Sequence, residues 1–255
     1  MNDTLKDHAS KVPAVTLAFW IIKIAATTLG ETAGDAVSMS LDLGYAVSSL
    51  IFIGLFAIAV LLQIATRRFH PLLYWLVVVA TTTAGTTMAD FADRSLGIGY
   101  AGGSAVLLLC VLAVLWIWFH AEGSVSVNTV NTPRAEAFYW ATITFSQTLG
   151  TALGDWMADD TGLGYTGAAL VFGAALAIVA AAYFWTSISH VTLFWAAFIL
   201  TRPLGATVGD YLDKPIDAGG LALSRPAASL ALGVAMLALI FLLPQRAGVH
   251  PKALS

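Results

Sequence analysis

Charge is what this sequence has least of: 11% of its 255 residues are charged and 58% are hydrophobic, where a soluble domain carries about 25% charged residues. That shortage, with a mean hydropathy of +0.82, excludes an ordinary soluble domain. Cysteine is nearly missing as well. The single Cys110 lies in an apolar run and reads as a small buried hydrophobe, which leaves no disulfide and no cysteine-built metal site. The first twelve residues are polar and lack an apolar segment with a small-residue cleavage site, so no removable signal peptide is expected. No stretch is long and polar enough for a separate soluble domain; the longest polar loop is AEGSVSVNTVNTPR, 121–134. A nucleotide-binding loop and any nucleophile–base spacing are also lacking, so the chain is not expected to be an enzyme. Neither a resident cofactor nor a nucleic-acid partner is expected.

What is present is a set of apolar runs about twenty residues long, the length of helix that a bilayer core about 30 Å thick requires. Lipid cannot satisfy backbone polar groups, so such runs are helices. Helices are expected near 13–38, 45–66, 71–93, 100–119, 134–158, 165–186, 190–212 and 221–244.

Half of these helices carry one repeated motif. Phe19–Tyr45 (FWIIKIAATTLGETAGDAVSMSLDLGY) recurs without gaps at Tyr74–Tyr100, Tyr139–Tyr165 and Phe194–Gly220. Trp20, Trp75, Trp140 and Trp195 align, as do Gly30, Gly85, Gly150 and Gly205. The same holds for Asp35, Asp90, Asp155 and Asp210, and for a later glycine at 44, 99, 164 and 219. Composition bias does not produce such a register, so the repeat is real. The fold class expected is an all-α membrane protein: eight transmembrane helices from four tandem two-helix repeats, about 13–66, 71–119, 134–186 and 190–244. Residues 121–133 form a linker between two halves, and the whole chain, 1–255, is one membrane domain. Each repeat crosses twice, so all copies enter the membrane in one direction and the pseudo-symmetry axis lies along the membrane normal.

Lys6, Lys11, Arg67, Arg68, Arg134, Arg246 and Lys252 fall on one side of this topology, and Arg94, Lys214 and Arg225 with six aspartates on the other. The positive-inside rule then puts both termini in the cytoplasm and makes the outer face acidic. Localisation in a bacterial inner membrane, among lipid, is the corresponding expectation.

Residues four apart share a helix face. Lys23, Thr27, Glu31 and Asp35 therefore form a polar stripe, matched by Thr82–Thr86–Asp90, Gln147–Thr151–Asp155 and Arg202–Ala206–Asp210. Beside each stripe runs a small-xxx-small pair, such as Gly30/Gly34 or Gly205/Gly209, that lets helix backbones approach closely. Four motif helices should thus surround a polar interior, with the Asp set near the outer boundary of the hydrocarbon layer. The bland alternative is that these aspartates merely end helices, that the tryptophans pack or anchor, and that the glycines only permit packing. Pro203 beside Arg202 is expected to kink the fourth motif helix.

The pattern W-x9-G-x3-[GA]-D-x8-G, present four times, resembles a family of bacterial membrane proteins made of four tandem two-helix repeats and long catalogued as a repeat of unknown function. The likeness spans about 13–244, and the fourth copy departs from it at Gly220, where the others have tyrosine. It implies a fold and a bacterial origin. Separately, Glu31-x-x-Gly34-Asp35 resembles, with spacing off by one residue, the acidic E-x-G-D motifs of small cation/proton exchangers and manganese exporters.

Intramembrane ionisable residues mark pathways, and carboxylate, hydroxyl and amide oxygens suit hard cations. The expected function is a transporter for a small inorganic cation, foremost a divalent metal such as Mn2+, exchanged for protons. Glu31, Asp35, Asp90, Asp155 and Asp210 would be the acidic ligands, Thr27, Thr82 and Gln147 neutral ligands, and Lys23 and Arg202 charge-balancing groups. The alternatives are a non-transporting scaffold or regulator, a small-solute or anion transporter, and, further off, a membrane-embedded lipid-modifying enzyme.

Overall fold

The structure, a computed structural model, describes residues 9–249; Lys6 and Lys252, used above for orientation, lie outside the described residues. Eight long helices follow in order: α1 Leu17–Asp35, α2 Gly44–Ala65, α3 Pro71–Asp90, α4 Tyr100–Glu122, α5 Pro133–Asp155, α6 Gly164–Trp185, α7 His190–Asp213 and α8 Arg225–Leu242. Their starts carry local signals. The Thr16 and Thr132 hydroxyls accept from the backbone N–H of Phe19 and Ala135, and Pro71 and Pro133 open α3 and α5, where a missing N–H costs nothing.

The odd-numbered helices carry the motif and form a closed ring, α1 against α3, α3 against α5, α5 against α7 and α7 against α1. Each even-numbered helix lies outside and packs on the motif helix of the following repeat: α2 on α3, α4 on α5, α6 on α7 and α8 on α1. The last of these contacts joins the end of the chain to its beginning. A short antiparallel pair of strands, β1 Ala9–Pro13 and β2 Ala247–Val249, closes the circle at the same end of the bundle. The Lys11 ammonium meets the buried Glu136 carboxylate at 2.6 Å. A strand in the N-terminal tail was not expected, because five residues of tail carry no alternation strong enough to mark one.

The ring is tight because of its glycines. Gly30 faces Thr82, Gly85 faces Gln147, Gly150 faces Arg202 and Gly205 faces Thr27, always from one helix to the residue at the same repeat position on its neighbour. At Gly85 a Cβ would stand 3.0 Å from the Gln147 backbone carbon, so the backbones themselves are in contact.

The aspartates do not end the motif helices. α1, α3 and α5 run on through five-residue π-helical turns, Ala36–Ser40, Phe91–Ser95 and Trp156–Asp160, and no Asp side chain caps them. The chain turns later, at the last glycine of the motif, where φ is +84° at both Gly99 and Gly219. Pro203 sits inside α7, which is continuous from His190 to Asp213.

Among the described residues six helices are long and apolar enough to cross a membrane, all but α1 and α5. The difference from the eight expected has a physical cause. α1 carries Lys23, Glu31 and Asp35 and α5 carries Arg134, Glu136 and Asp155; a helix shielded inside a ring need not be apolar. The outer helices are the opposite case: only 22% of the apolar window of α2 is buried, against 67% for α3. Such exposed apolar faces fit lipid and not water.

Candidate functional site

The ring interior is built in layers, one helical turn apart, from the terminal end of the bundle to the Asp end. The first is aromatic. Phe19, Tyr74, Tyr139 and Phe194 occupy one repeat position, all buried, with the Tyr74 and Tyr139 hydroxyls hydrogen-bonded to each other and Phe19 6.1 Å from Phe194 between ring centroids. The motif tryptophans pack around them, Trp75 donating to the Gln245 side chain and Trp195 to the Val125 carbonyl. These tryptophans pack and anchor, and the layer closes the axis.

Lys23 lies one turn further in. It is fully buried, its Nζ is 4.1 Å from the Phe198 ring centroid and 3.4 Å from Thr201 Oγ1. It meets no carboxylate among the described residues. The expectation that Lys23 balances Glu31 is therefore corrected. The two share a helix face but lie eight residues apart, about 12 Å along the axis.

The third layer holds Thr27, Thr82, Gln147 and Arg202, every one fully buried. Thr27 Oγ1 is satisfied within the backbone, 2.9 Å from the Ile24 carbonyl and 3.2 Å from that of Thr201. Thr82 Oγ1 and both amide atoms of Gln147 have no hydrogen-bond partner among the described residues, and the same is true of Arg202 Nε and Nη1.

The fourth layer is Glu31, Thr86, Thr151 and Ala206. Arg202 reaches up into it, its Nη2 2.8 Å from Glu31 Oε2, 2.6 Å from Thr86 Oγ1 and in contact with Thr151 Oγ1. One nitrogen that touches residues of three other motif helices stands on the ring axis. Ala206, small where the other repeats carry Glu or Thr, leaves room for it. Arg202 and Glu31 thus form a buried ion pair.

The fifth layer is the Asp set. Asp35, Asp90, Asp155 and Asp210 are only 1–2% exposed. They are also not bare. Lys214 Nζ bridges Asp35 at 2.7 Å and Asp210 at 2.9 Å. Arg94 bridges Asp90 at 2.8 Å and Asp155 at 3.4 Å, with Asp159 at 3.8 Å. Arg225 stands 3.7 Å from Asp35 and 3.6 Å from the buried Asp213. Arg94 and Lys214 each lie four residues after their repeat's Asp, where repeats one and three have Met39 and Asp159. The fourfold arrangement thus becomes two bridged pairs, each joining neighbouring repeats. Burial pulls the Lys214 ammonium down, but Asp210, Asp35 and Asp213 together outweigh it and hold the group above the ordinary lysine range. Carboxylate oxygens of Asp35, Asp210 and Asp213 lie within 4.8 Å of one another, close enough to share one cation.

Five residues that complete these layers escaped the sequence-based choice of site: Thr86, Thr151, Arg94, Lys214 and Asp213. Thr86 and Thr151 were on the polar stripes, one turn from residues that were chosen. Arg94 and Lys214 carried a usable signal, a cation at i+4 from the motif Asp, but their loop-side position made them read as topology markers. Asp213 had none.

The model of the Repeat of Unknown Function family, DUF347, matches the chain four times, at residues 18–69, 73–124, 138–189 and 193–245. No curated protein and no solved structure matches it. These four matches take up most of the chain and coincide with the four motif-helix and outer-helix pairs, so the chain belongs to the DUF347 repeat family.

Proposed function

We propose that this protein is a multi-pass membrane transporter of a small inorganic cation, foremost a divalent metal such as Mn2+, exchanged for protons. In this reading all eight helices cross a bacterial inner membrane with both termini in the cytoplasm. Arg67, Arg68, Arg134 and Arg246 at the terminal end support that orientation. The observation that carries the proposal is the charge count of the Asp layer. Asp35, Asp90, Asp155, Asp210 and Asp213 are all buried there and share three cations, Arg94, Lys214 and Arg225.

Lys214 acts as a tethered cation in this scheme. Its ammonium occupies the space between Asp35 and Asp210 that a hard metal ion would take, and Asp35, Asp210 and Asp213 all offer oxygen. A metal arriving from the Asp end displaces Lys214, and protons compete with both for the same oxygens, which couples binding to pH. The aromatic layer seals the other end, so release requires a second conformation in which Phe19, Tyr74, Tyr139 and Phe194 part.

The test is Mn2+ binding to purified protein by calorimetry at pH 6 and pH 8. Wild type should bind more tightly at pH 8, Asp35→Asn and Asp210→Asn should lose binding, and Lys214→Met should bind more tightly than wild type. A scaffold in which the pairs only hold the ring together gives no saturable binding in wild type or in Lys214→Met. That result would end the transporter reading.

A further inference from the structure

We infer that the third layer, between the aromatic closure and the Glu31–Arg202 pair, is a binding site for a small monovalent anion of halide size. The inference goes beyond cation transport: the ligand has the opposite charge and sits at a different level of the ring. It begins with unsatisfied donors. Gln147 Nε2, the Thr82 hydroxyl, and Nε and Nη1 of Arg202 come from three different motif helices at one repeat position. All three side chains are fully buried, and none of these atoms has a partner among the described residues. Folded proteins leave few buried polar atoms unpaired, because each costs about 1–3 kcal/mol. Several at one level point to a ligand that accepts hydrogen bonds.

Charge decides which ligand. Within the sealed interior Arg202 is matched by Glu31 at 2.8 Å, which leaves the buried Lys23 ammonium one turn below with a ring face and one long hydroxyl contact. Two basic side chains face one carboxylate. Water would satisfy the hydrogen bonds but leave two basic groups with one carboxylate between them. A metal ion would meet a guanidinium and an ammonium. One monovalent anion answers both, accepting from Gln147, Thr82 and Arg202 while neutralising Lys23. The third-layer residues suit this role by position: each motif helix is held against its neighbour by the glycine contacts at Gly85 and Gly150, so the donors are preorganised.

The experiment follows thermal unfolding of the full-length protein in detergent, free of divalent metal, as sodium gluconate is replaced by sodium chloride or bromide at constant ionic strength. Wild type should show a saturable rise in melting temperature with either halide, as ligand binding to the folded state alone requires. Gln147→Leu and Thr82→Val should each weaken the apparent halide affinity about tenfold, the equivalent of one charge-assisted hydrogen bond. Lys23→Met should abolish the halide response while melting in gluconate at or above the wild-type temperature, since it removes the unneutralised charge. If wild type melts identically in gluconate and chloride, the site does not exist. Retention of the full halide response in Gln147→Leu and Thr82→Val would equally overturn it, and these two variants decide the matter if Lys23→Met does not fold. Failure here leaves Mn2+ binding at the Asp layer untouched, so the two proposals fall separately.

Discussion

Glu31→Gln is a near-isosteric change, and from the sequence alone it should remove a charge and leave the fold intact. The geometry says otherwise. Glu31 is 2.8 Å from Arg202 Nη2, and neither side chain is more than 3% exposed. Removing one partner of a buried pair strands the other charge, which costs about 3–5 kcal/mol. Arg202 would keep Thr86 and Thr151 as acceptors together with the new amide oxygen, so the cost should fall near the lower end, about 3 kcal/mol. Arg202→Met should cost a similar amount, because Glu31 is left with only the Thr86 hydroxyl at 3.3 Å. The double variant Glu31→Gln/Arg202→Met strands no charge and should recover most of that loss, leaving only the smaller cost of a buried amide beside Thr86. The assay is a double-mutant cycle by reversible unfolding in mixed micelles, with an expected coupling of about 3 kcal/mol or more. Additivity of the single changes within about 0.5 kcal/mol would refute the pairing at the ring axis.

The glycine contacts give a second test. Gly150→Val and Gly205→Val should each destabilise by about 1–3 kcal/mol through overpacking against Arg202 and Thr27, while Gly54→Ala, with open space around it, should be neutral or slightly stabilising. Thermal unfolding of the three variants reads the difference. Stability should also depend on Lys214 at alkaline pH. The fold raises its pKa, so its contribution is complete below about pH 10.4, the ordinary lysine value, and declines as the pH rises beyond it. Lys214→Met should lose that decline in melting curves taken from pH 8 to 11. For orientation, in a Cys110→Ser background, Ser124→Cys should resist an impermeant thiol reagent in intact cells and Asp160→Cys should react; the reverse labelling would invert the proposed topology.

The repeat was legible because its parts are local. Trp20, Gly30, Asp35 and Gly44 recur at fixed spacing, and apolar runs of helical length need no tertiary information to be recognised. Stripe and glycine faces could likewise be assigned from the 3.6-residue period, and the structure puts both inside one ring. The depth of a residue was not legible. Helical register gives the face on which Lys23 lies but not which layer of the neighbouring helices stands opposite, and so it was wrongly assigned to Glu31. Nor was it legible that Arg94 and Lys214 would turn back over the motif aspartates, a matter of loop and neighbour geometry that helical register does not carry.

By itself the sequence determined four copies of one helical hairpin, an all-α fold with apolar outer faces, and a polar stripe on each motif helix. Only the tertiary structure decided which charges meet. Glu31 and Arg202 are separated by 171 residues, and Lys214 and Asp35 by 179. Both contacts exist because α7 packs against α1 and α8 returns to cover α1, so that the last repeat meets the first. Ring closure is a property of all four repeats together. Which side chain then reaches the axis depends on local volume: Ala206 is small enough to admit the Arg202 guanidinium from one turn below, and that single vacancy in the fourfold pattern fixes the charge at the centre of the protein.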